Sequence, residues 1–177
     1  PGVDDPERVK NTLNADSNLE LKLVAKGTSI PYSTKEQAET AAKSQPPGTD
    51  PYTAQYETVY YRERPDAGGA IQEGWVVVGK NPVITGLDMR DASARSSQYG
   101  GAAYEIDFSL LPDGARRFAD ATGKHVGDQL AIVLNNEVKS APRINSQISD
   151  RGQITGNFTK KAAEDLSLIL RSGALPA

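Results

Sequence analysis

The chain of 177 residues has no cysteine, one histidine, one methionine and one tryptophan. Without cysteine it has no disulfide framework, no thiolate nucleophile and no cysteine-based zinc site. The single histidine, His125, has no second histidine or cysteine with which to hold zinc, and carboxylates alone make a poor zinc site. Since it lies between Gly123 and Gly127, we interpret His125 as a solvated loop residue.

Long apolar runs and a strong charge of either sign are absent as well. No run approaches the ~20 apolar residues of a membrane span, so we expect the chain as given to be soluble. A net charge of −3 with scattered basic residues argues against nucleic acid and anionic lipid as partners. The opening PGVDD and the closing SGALPA suggest a domain taken from a longer protein.

Motifs for catalysis are also missing. Gly68-Gly69 and Gly100-Gly101 lack the residues that would complete a phosphate-binding or dinucleotide-binding loop, and no G-x-S-x-G elbow occurs. The acid pairs Asp4/Asp5 and Glu164/Asp165 are explained more simply as helix caps and solvated helix faces. Asn157 begins a glycosylation sequon that we interpret as a coincidence. The chain is therefore predicted to be a binding or mechanical module without cofactor or metal, and not an enzyme.

The first half of the chain predicts a series of short elements. Asp4-Asp5-Pro6-Glu7 is typical of a helix start, and Leu19 to Val24 alternates apolar and polar residues as a half-buried strand does. Ser33-Thr34-Lys35-Glu36 has the pattern of a capping box, and the helix that it opens must end before Pro46. Further along we predict a hairpin of Gln55–Tyr61 and Trp75–Val78 around an exposed tip at 62–69. Thr85-Gly86-Leu87-Asp88 then leads into a predicted short helix through Ala92 and Ala94.

The second half shows stronger signals. Tyr104 to Leu110 alternates apolar and polar residues, which indicates a strand with one face exposed to water. Pro112 is placed to open a helix, and Leu130 to Leu134 is apolar on both faces, as in the centre of a sheet. Asn135-Asn136 suits a tight turn with positive φ, and Pro142 places the returning strand at an edge or a bulge.

The last part of the chain predicts one amphipathic helix. Thr159 is a suitable N-cap, and Arg171 lies at the end where the helix dipole favours a cation. The apolar stripe consists of Ala162, Ala163, Leu166, Ile169 and Leu170. Interleaved helices and strands, with hairpins among them, favour an α+β fold in which a mixed or antiparallel sheet is covered by helices.

Four stretches near the C-terminus resemble one family closely. They are DGARRF at 113–118, LAIVLNNEVKSAPRI at 130–144, QITGNFT at 153–159 and AAEDLSLILRSGALPA at 162–177. Together they resemble the first periplasmic domain of SecD, an accessory subunit of the bacterial protein-export channel. The opening and the stretch from Thr85 to Asp88 resemble that family more weakly, and residues 26–83 match it least. Leu111 departs from the family, which tends to place a threonine there.

The resemblance implies a head lobe joined to part of a ferredoxin-like base. It divides the chain into base residues 1–26, head-lobe residues 27–172, and a return to the base at 173–177. The parent would be a multi-pass protein of the bacterial inner membrane with this domain on its periplasmic face. There it would contact unfolded preproteins and move with SecF and the SecYEG channel, with YajC as a further candidate partner, in export driven by the proton gradient. No acidic residue of this chain is implied as a proton carrier.

Candidate site residues follow from this resemblance. Our hypothesis for the preprotein contact is the strand that carries Val138, Ala141 and Ile144, with Pro142 keeping its edge open; ordinary sheet core is the alternative. The hinge candidates are Lys26-Gly27 and Gly173-Ala174-Leu175-Pro176, because glycine absorbs backbone rotation; a helix C-cap at Gly173 is the alternative. Two functions stay open: a preprotein-contacting domain of the translocation motor, and a structural docking domain that only anchors Sec partner subunits.

Overall fold

The computed structural model of the chain describes residues 19–63, 71–96, 104–148 and 151–174. The predicted helix start at Asp4, most of the predicted hairpin tip, and Leu175 and Pro176 lie outside these ranges. In chain order the elements are β1 (Leu19–Leu23), α1 (Lys35–Ser44), β2 (Tyr56–Glu63), β3 (Gln72–Gly79), β4 (Ile84–Thr85), a 3₁₀ turn (Gly86–Asp88), β5 (Met89–Ser96), β6 (Tyr104–Leu110), α2 (Pro112–Lys124), β7 (Leu130–Leu134), β8 (Glu137–Ser140), β9 (Arg151–Phe158) and α3 (Lys160–Ala174).

Six strands form one large sheet in the order β3-β2-β8-β7-β1-β4. Among the strands described, β2 and β8 run parallel and the other neighbours run antiparallel. After β1, Val24 bridges Val78 and the Ala25 amide donates to the Val77 carbonyl at 3.0 Å. These contacts place β1 beside β3, so five of the strands surround an apolar interior. The prediction of an α+β fold with a mixed sheet is confirmed.

The strand β7 is buried on both faces, as its unbroken apolar run predicts. It pairs with β1 on one side and with β8 on the other. Because neighbouring side chains point to opposite faces, β7 contributes to two cores. Leu130, Ile132 and Leu134 point into the main core, the largest cluster of buried apolar residues, which both sheets and the helices α2 and α3 share. Ala131 and Val133 point into the enclosed interior, the apolar cluster that the large sheet surrounds.

Both predicted hairpins are confirmed. The strands β2 and β3 pair antiparallel along their whole length. The turn from β7 to β8 places Asn135 at φ 51° and Asn136 at φ 66°. Asparagine tolerates this left-handed region better than most residues, which is the reason the pair favours such a turn.

The strands β5, β6 and β9 form a second, antiparallel sheet in that order. The predicted helix through Ala92 and Ala94 is wrong, since helical structure ends with the 3₁₀ turn and β5 begins at Met89. In β5, Ala92 is buried whereas Asp91 and Ser93 are exposed, the alternation of a strand. Pairing with β6 overrides the helix preference of alanine, which amounts to less than about 1 kcal/mol per residue.

Three helices are described. The helix α1 is capped by Thr34, whose hydroxyl accepts from the Gln37 amide at 3.2 Å, one residue later than the predicted box at Ser33. The helix α2 begins at Pro112 as predicted, and Leu111 provides no side-chain cap. The helix α3 buries Ala163, Leu166 and Leu170, as predicted. The side chain of Ala162 is not among those that the structure describes. Within the described ranges, no helix has the length and apolarity that a membrane crossing requires.

Two charged side chains that were expected on solvent-exposed strand faces are buried instead. Lys22 of β1 is 5% exposed, and its Nζ lies 2.6 Å from Glu57 Oε1. Glu105 of β6 is 2% exposed, and its Oε1 lies 3.1 Å from Arg95 Nε. Both expectations were wrong because an alternating pattern shows the two faces of a strand and does not show whether a second layer covers the polar face.

Candidate functional site

A cavity of about 620 Å³ lies between the second sheet and the segment from Arg143 to Ile148. We call it the groove. Its lining is mostly polar, with an aromatic contribution from Phe108. The three strands contribute Asp91, Ser93 and Arg95 from β5, Asp107 from β6, and Arg151 and Gln153 from β9.

The groove is built by the alternation of the strands and by one close approach. Ser93 pairs with Asp107 and Asp107 pairs with Gln153, so these polar side chains lie on the same face of the sheet. Gly152 pairs with Phe108, and a Cβ at Gly152 would lie 2.4 Å from Phe108 Cζ. Glycine therefore lets β9 approach the Phe108 ring, which is buried in the hydrophobic core.

Charge in the groove centres on Arg95. Its Nε lies 3.1 Å from Glu105 Oε1 and 2.8 Å from Asp107 Oδ2, so one guanidinium nitrogen is shared by two carboxylates. The Arg95 side chain is 41% exposed, Asp107 is 33% exposed and Glu105 is 2% exposed. The remaining oxygens, Glu105 Oε2 and Asp107 Oδ1, are shielded from solvent and have no hydrogen-bond partner among the residues that the structure describes.

Two further guanidiniums line the groove. Arg143 and Arg151 are exposed, and neither has an ion pair with a residue in the described part of the chain.

The strand β9 itself pairs with β6, and no described strand pairs with its other edge. The outer edge of β9 therefore offers a row of backbone groups that another extended chain could pair with.

A second polar cluster surrounds the only histidine, and here the prediction of a solvated loop residue is wrong. The His125 side chain is 11% exposed, with Nδ1 at 2.9 Å from Asp128 Oδ2 and Nε2 at 2.7 Å from Asp50 Oδ2. Burial raises the pKa of Asp50, but hydrogen bonds from His125, Thr53 and the Tyr52 amide, with the charge of His125, together outweigh burial, so this pKa lies below its ordinary value. Burial, together with the charges of Asp50 and Asp128, raises the pKa of Tyr56.

The geometry of this cluster suits a structural role, in which His125 links two loops, and does not suit catalysis. A general base needs a ring nitrogen that faces a substrate or a nucleophile. Both ring nitrogens of His125 lie against carboxylates, which leaves neither for such a role. In the described part of the chain, no group of three or more histidine, aspartate or glutamate residues is arranged to hold a metal ion.

The predicted preprotein-contact residues do not form one surface. Val138 is 0% exposed in the enclosed interior, and Ile144 is 2% exposed in the main core. Ala141 and Pro142 are half-buried after the end of β8. The prediction for this strand was an edge or a bulge, and the structure shows the bulge: the pairing of β8 with β7 shifts register between Ile132 and Val133. On its other side β8 pairs with β2 at Glu137 and Val138, so its first half is not an open edge. The role of the four residues in binding stays a prediction.

The hinge candidates lie at a turn and at a helix end. Gly27 has φ +73° with open space around it, and Lys26 Nζ lies 3.8 Å from Asp128 Oδ2. Gly173 and Ala174 lie within the last turn of α3, which ends at Ala174, so Gly173 is not its C-cap. Whether these positions act as hinges stays a prediction.

The groove residues were missed by the sequence analysis, although β5 carries a signal for them. Polar Asp91, Ser93 and Arg95 alternate with Ala92 and Ala94. This is the period of a strand with one polar face. The two alanines were read as helix formers instead, so the polar face that lines the groove was not recognised.

Comparison with known proteins gives concordant similarities in sequence and in fold. Residues 57–177 match the family model described as SecDF, P1 head subdomain. The whole chain is 38% identical to protein translocase subunit SecD of Koribacter versatilis and 40% identical to that of Aquifex aeolicus, each over 177 residues. The chain spans 30% of the length of each of these relatives.

Solved structures of SecDF share the fold. One, described as a membrane component that enhances protein export, aligns with 97% of this chain and 69% of its own, at a TM-score of 0.53 and 25% identity. Another, SecDF of Thermus thermophilus, described as a translocon-associated membrane protein, aligns with 97% of this chain and 21% of its own, at a TM-score of 0.54 and 26% identity.

Proposed function

We propose, given that this chain belongs to the SecD family of protein translocase subunits, that it contacts unfolded preproteins on the periplasmic side of the membrane and moves to assist their export. The observation that carries the proposal is the groove of about 620 Å³, which β9 helps to line, together with the edge of β9 that no described strand pairs with. Because the chain spans 30% of its relatives, the activity of the whole protein enters here as a proposal.

An unfolded polypeptide offers two things to a receptor: backbone amides and carbonyls, and scattered side chains. An unpaired strand can bind the backbone by adding the polypeptide to its sheet, with no requirement for a particular sequence. A polypeptide paired with β9 would direct alternate side chains toward the face of the sheet that lines the groove. The site would therefore tolerate many sequences.

The lining supports a weak and reversible contact. Its donors and acceptors, such as Ser93, Gln153 and Arg151, are largely hydrated when the groove is empty. Exchange of water for a polypeptide at such groups gives little net free energy, about 0.5–1.5 kcal/mol per hydrogen bond. Weak binding suits a cargo that must be released after each step.

The rest of the proposed mechanism concerns the parent protein. We propose that it lies in the inner membrane and works with SecF and the SecYEG channel, with YajC as a further candidate partner. The proton gradient would supply energy through its membrane segments. We also keep as proposals the division into base residues 1–26, head residues 27–172 and return 173–177, and hinge roles for Gly27 and Gly173. Rigidifying both glycines without loss of export would contradict the hinge roles.

Site-specific photocrosslinking in the full-length protein tests the proposal. A photoreactive amino acid at Ser109 or Gln147, which both line the groove, should form adducts with a preprotein arrested during export. The matched control is Lys43, exposed on α1 away from the groove lining, where adducts with the preprotein should be much weaker. Adducts to Sec subunits alone from Ser109 and Gln147 would contradict cargo contact and favour the docking domain.

A further inference from the structure

We propose that the groove holds a cationic side chain, lysine or arginine, of the bound polypeptide beside Asp107, with Glu105 behind it. The inference rests on the proposed function and adds to it the kind of side chain that is bound best. It follows from the arrangement of charges around Arg95 and from the two buried oxygens that lack a donor.

The charges on this part of the sheet do not balance. Two carboxylates, Glu105 and Asp107, meet one guanidinium, and both contacts fall on the same atom, Arg95 Nε, at 3.1 and 2.8 Å. Each carboxylate uses one oxygen in this contact. One positive charge is therefore shared between two negative charges, and these three side chains together carry a net charge of −1.

The missing partner is a donor. Glu105 Oε2 and Asp107 Oδ1 are shielded from bulk solvent, and no group in the described part of the chain donates a hydrogen bond to them. Buried carboxylate oxygens are almost always hydrogen-bonded, and a charged donor gives the strongest such bond. An ammonium or guanidinium group supplies both the donor and the missing positive charge, whereas a backbone amide supplies the donor alone.

Access favours Asp107 as the contact residue. Asp107 lines the groove and is 33% exposed. Glu105 lies two residues away on the same face of β6 and is covered. A small rotation of the Asp107 carboxylate toward the groove would present Oδ1 to an incoming cation while Oδ2 stays near Arg95. Glu105 would act through its negative charge and through its ion pair with Arg95, which keeps that guanidinium in position.

The other charged groups that line the groove, Asp91, Arg143 and Arg151, do not reverse this preference. Arg143 and Arg151 are exposed and are hydrated without any ligand. Exposed charges contribute little to binding because solvent screens them and because water already satisfies their donors. The buried oxygens of Glu105 and Asp107 have no such alternative, so they determine which side chain the groove favours.

Binding of two matched peptides to this chain tests the inference. The peptides are short, uncharged at both ends and identical except for one central residue, lysine in one and norleucine in the other. Their dissociation constants are measured by NMR titration of the chain, followed at the amides of Ser109 and Gln153. We expect the lysine peptide to bind about tenfold more tightly, the equivalent of about 1.4 kcal/mol.

Two variants assign the preference to the carboxylates. Asp107→Asn keeps the shape of the side chain and should reduce the preference to less than about twofold. Glu105→Gln should reduce it in the same direction, and circular dichroism verifies that this buried change leaves the fold intact. The control is Asp113→Asn, an exposed acid at the start of α2, which should leave the preference unchanged.

The outcomes separate this inference from the proposed function. Equal binding of both peptides, or a lysine preference that survives Asp107→Asn, would overturn the cation site while the groove still binds polypeptide. Absence of binding by either peptide would overturn both. A lysine preference lost in Asp107→Asn and kept in Asp113→Asn would support the site.

Discussion

Replacement of His125 by alanine is the sharpest test of what holds this fold together. The imidazole lies between Asp50 and Asp128, at 2.7 and 2.9 Å from their oxygens. Asp50 belongs to the loop between α1 and β2, and His125 and Asp128 belong to the loop between α2 and β7. Since Asp50 and His125 are 75 positions apart in the sequence, the contact ties two distant loops.

The size of the effect follows from the contacts that are lost and those that stay. A hydrogen bond to a charged group contributes about 1.5–3 kcal/mol. The loss is less than the sum of two such bonds, because Asp50 keeps donors from Tyr52 and Thr53 and because Asp128 keeps Lys26 nearby. We expect His125→Ala to lower the free energy of unfolding by about 2–3 kcal/mol. For a chain of this size, Tm falls by about 4–12 °C.

The acid dependence of the difference has a defined sign. The pKa of Asp50 lies below its ordinary value of 3.8 in the fold. Asp50 therefore adds stability above pH 3.8, and this contribution is lost as pH falls from 3.8 through its lower value in the fold. In His125→Ala, a main cause of the lowered pKa is gone. The difference in free energy of unfolding between the unsubstituted chain and His125→Ala should therefore become smaller as the solution is acidified below pH 3.8.

Urea unfolding followed by circular dichroism, at pH 6 and at several values below pH 4, measures both effects. The control is Lys124→Ala, which removes an exposed pair with Asp120 next to His125 and should change stability by less than about 0.5 kcal/mol. If His125→Ala behaves like Lys124→Ala at pH 6, the reasoning is refuted. A gap that widens in acid would refute the assignment to Asp50.

Three further predictions concern other parts of the fold. Asn136→Val puts a β-branched residue at φ 66° and should cost about 1–2 kcal/mol in thermal unfolding; an unchanged Tm would contradict the turn. Gly152→Ala places a Cβ 2.4 Å from the Phe108 ring and should lower the free energy of unfolding by about 1–3 kcal/mol. Shifted NMR signals of Phe108 and its neighbour Phe118 should accompany the loss, and their absence would count against the close approach. Lys22→Met removes the ammonium group that lies 2.6 Å from Glu57 Oε1 and should lower the free energy of unfolding by about 1–3 kcal/mol. The loss is smaller than for a fully buried ion pair because Glu57 is partly exposed. Adding Glu57→Gln to this variant should recover part of the loss.

The elements that the sequence predicted well are those with a local physical cause. The apolar run of β7 has to be covered on both faces, which predicts a central strand before any partner is known. Asn135 and Asn136 accept positive φ, and the structure places them at 51° and 66°. Pro112 begins a helix because its missing amide has no role at that position.

The elements that were misread depend on contacts between distant residues. The alanines of β5 favour a helix weakly, and the pairing of β5 with β6 decides against it. Val138 follows a hairpin turn, as predicted, but β8 also pairs with the parallel strand β2 at Glu137 and Val138. No local rule predicts that a strand from the first half of the chain lies beside β8.

By itself the sequence determined the family, the α+β class, the central strand and the turn that follows it, because motif, periodicity and turn chemistry act over a few neighbouring residues. Only the tertiary structure decided where charge is buried. Arg95 meets Glu105 and Asp107, and His125 meets Asp50, because strand pairing and loop packing bring them within hydrogen-bond distance. The free energy of a charged group depends on its partners and on its access to water, and both are properties of the folded chain.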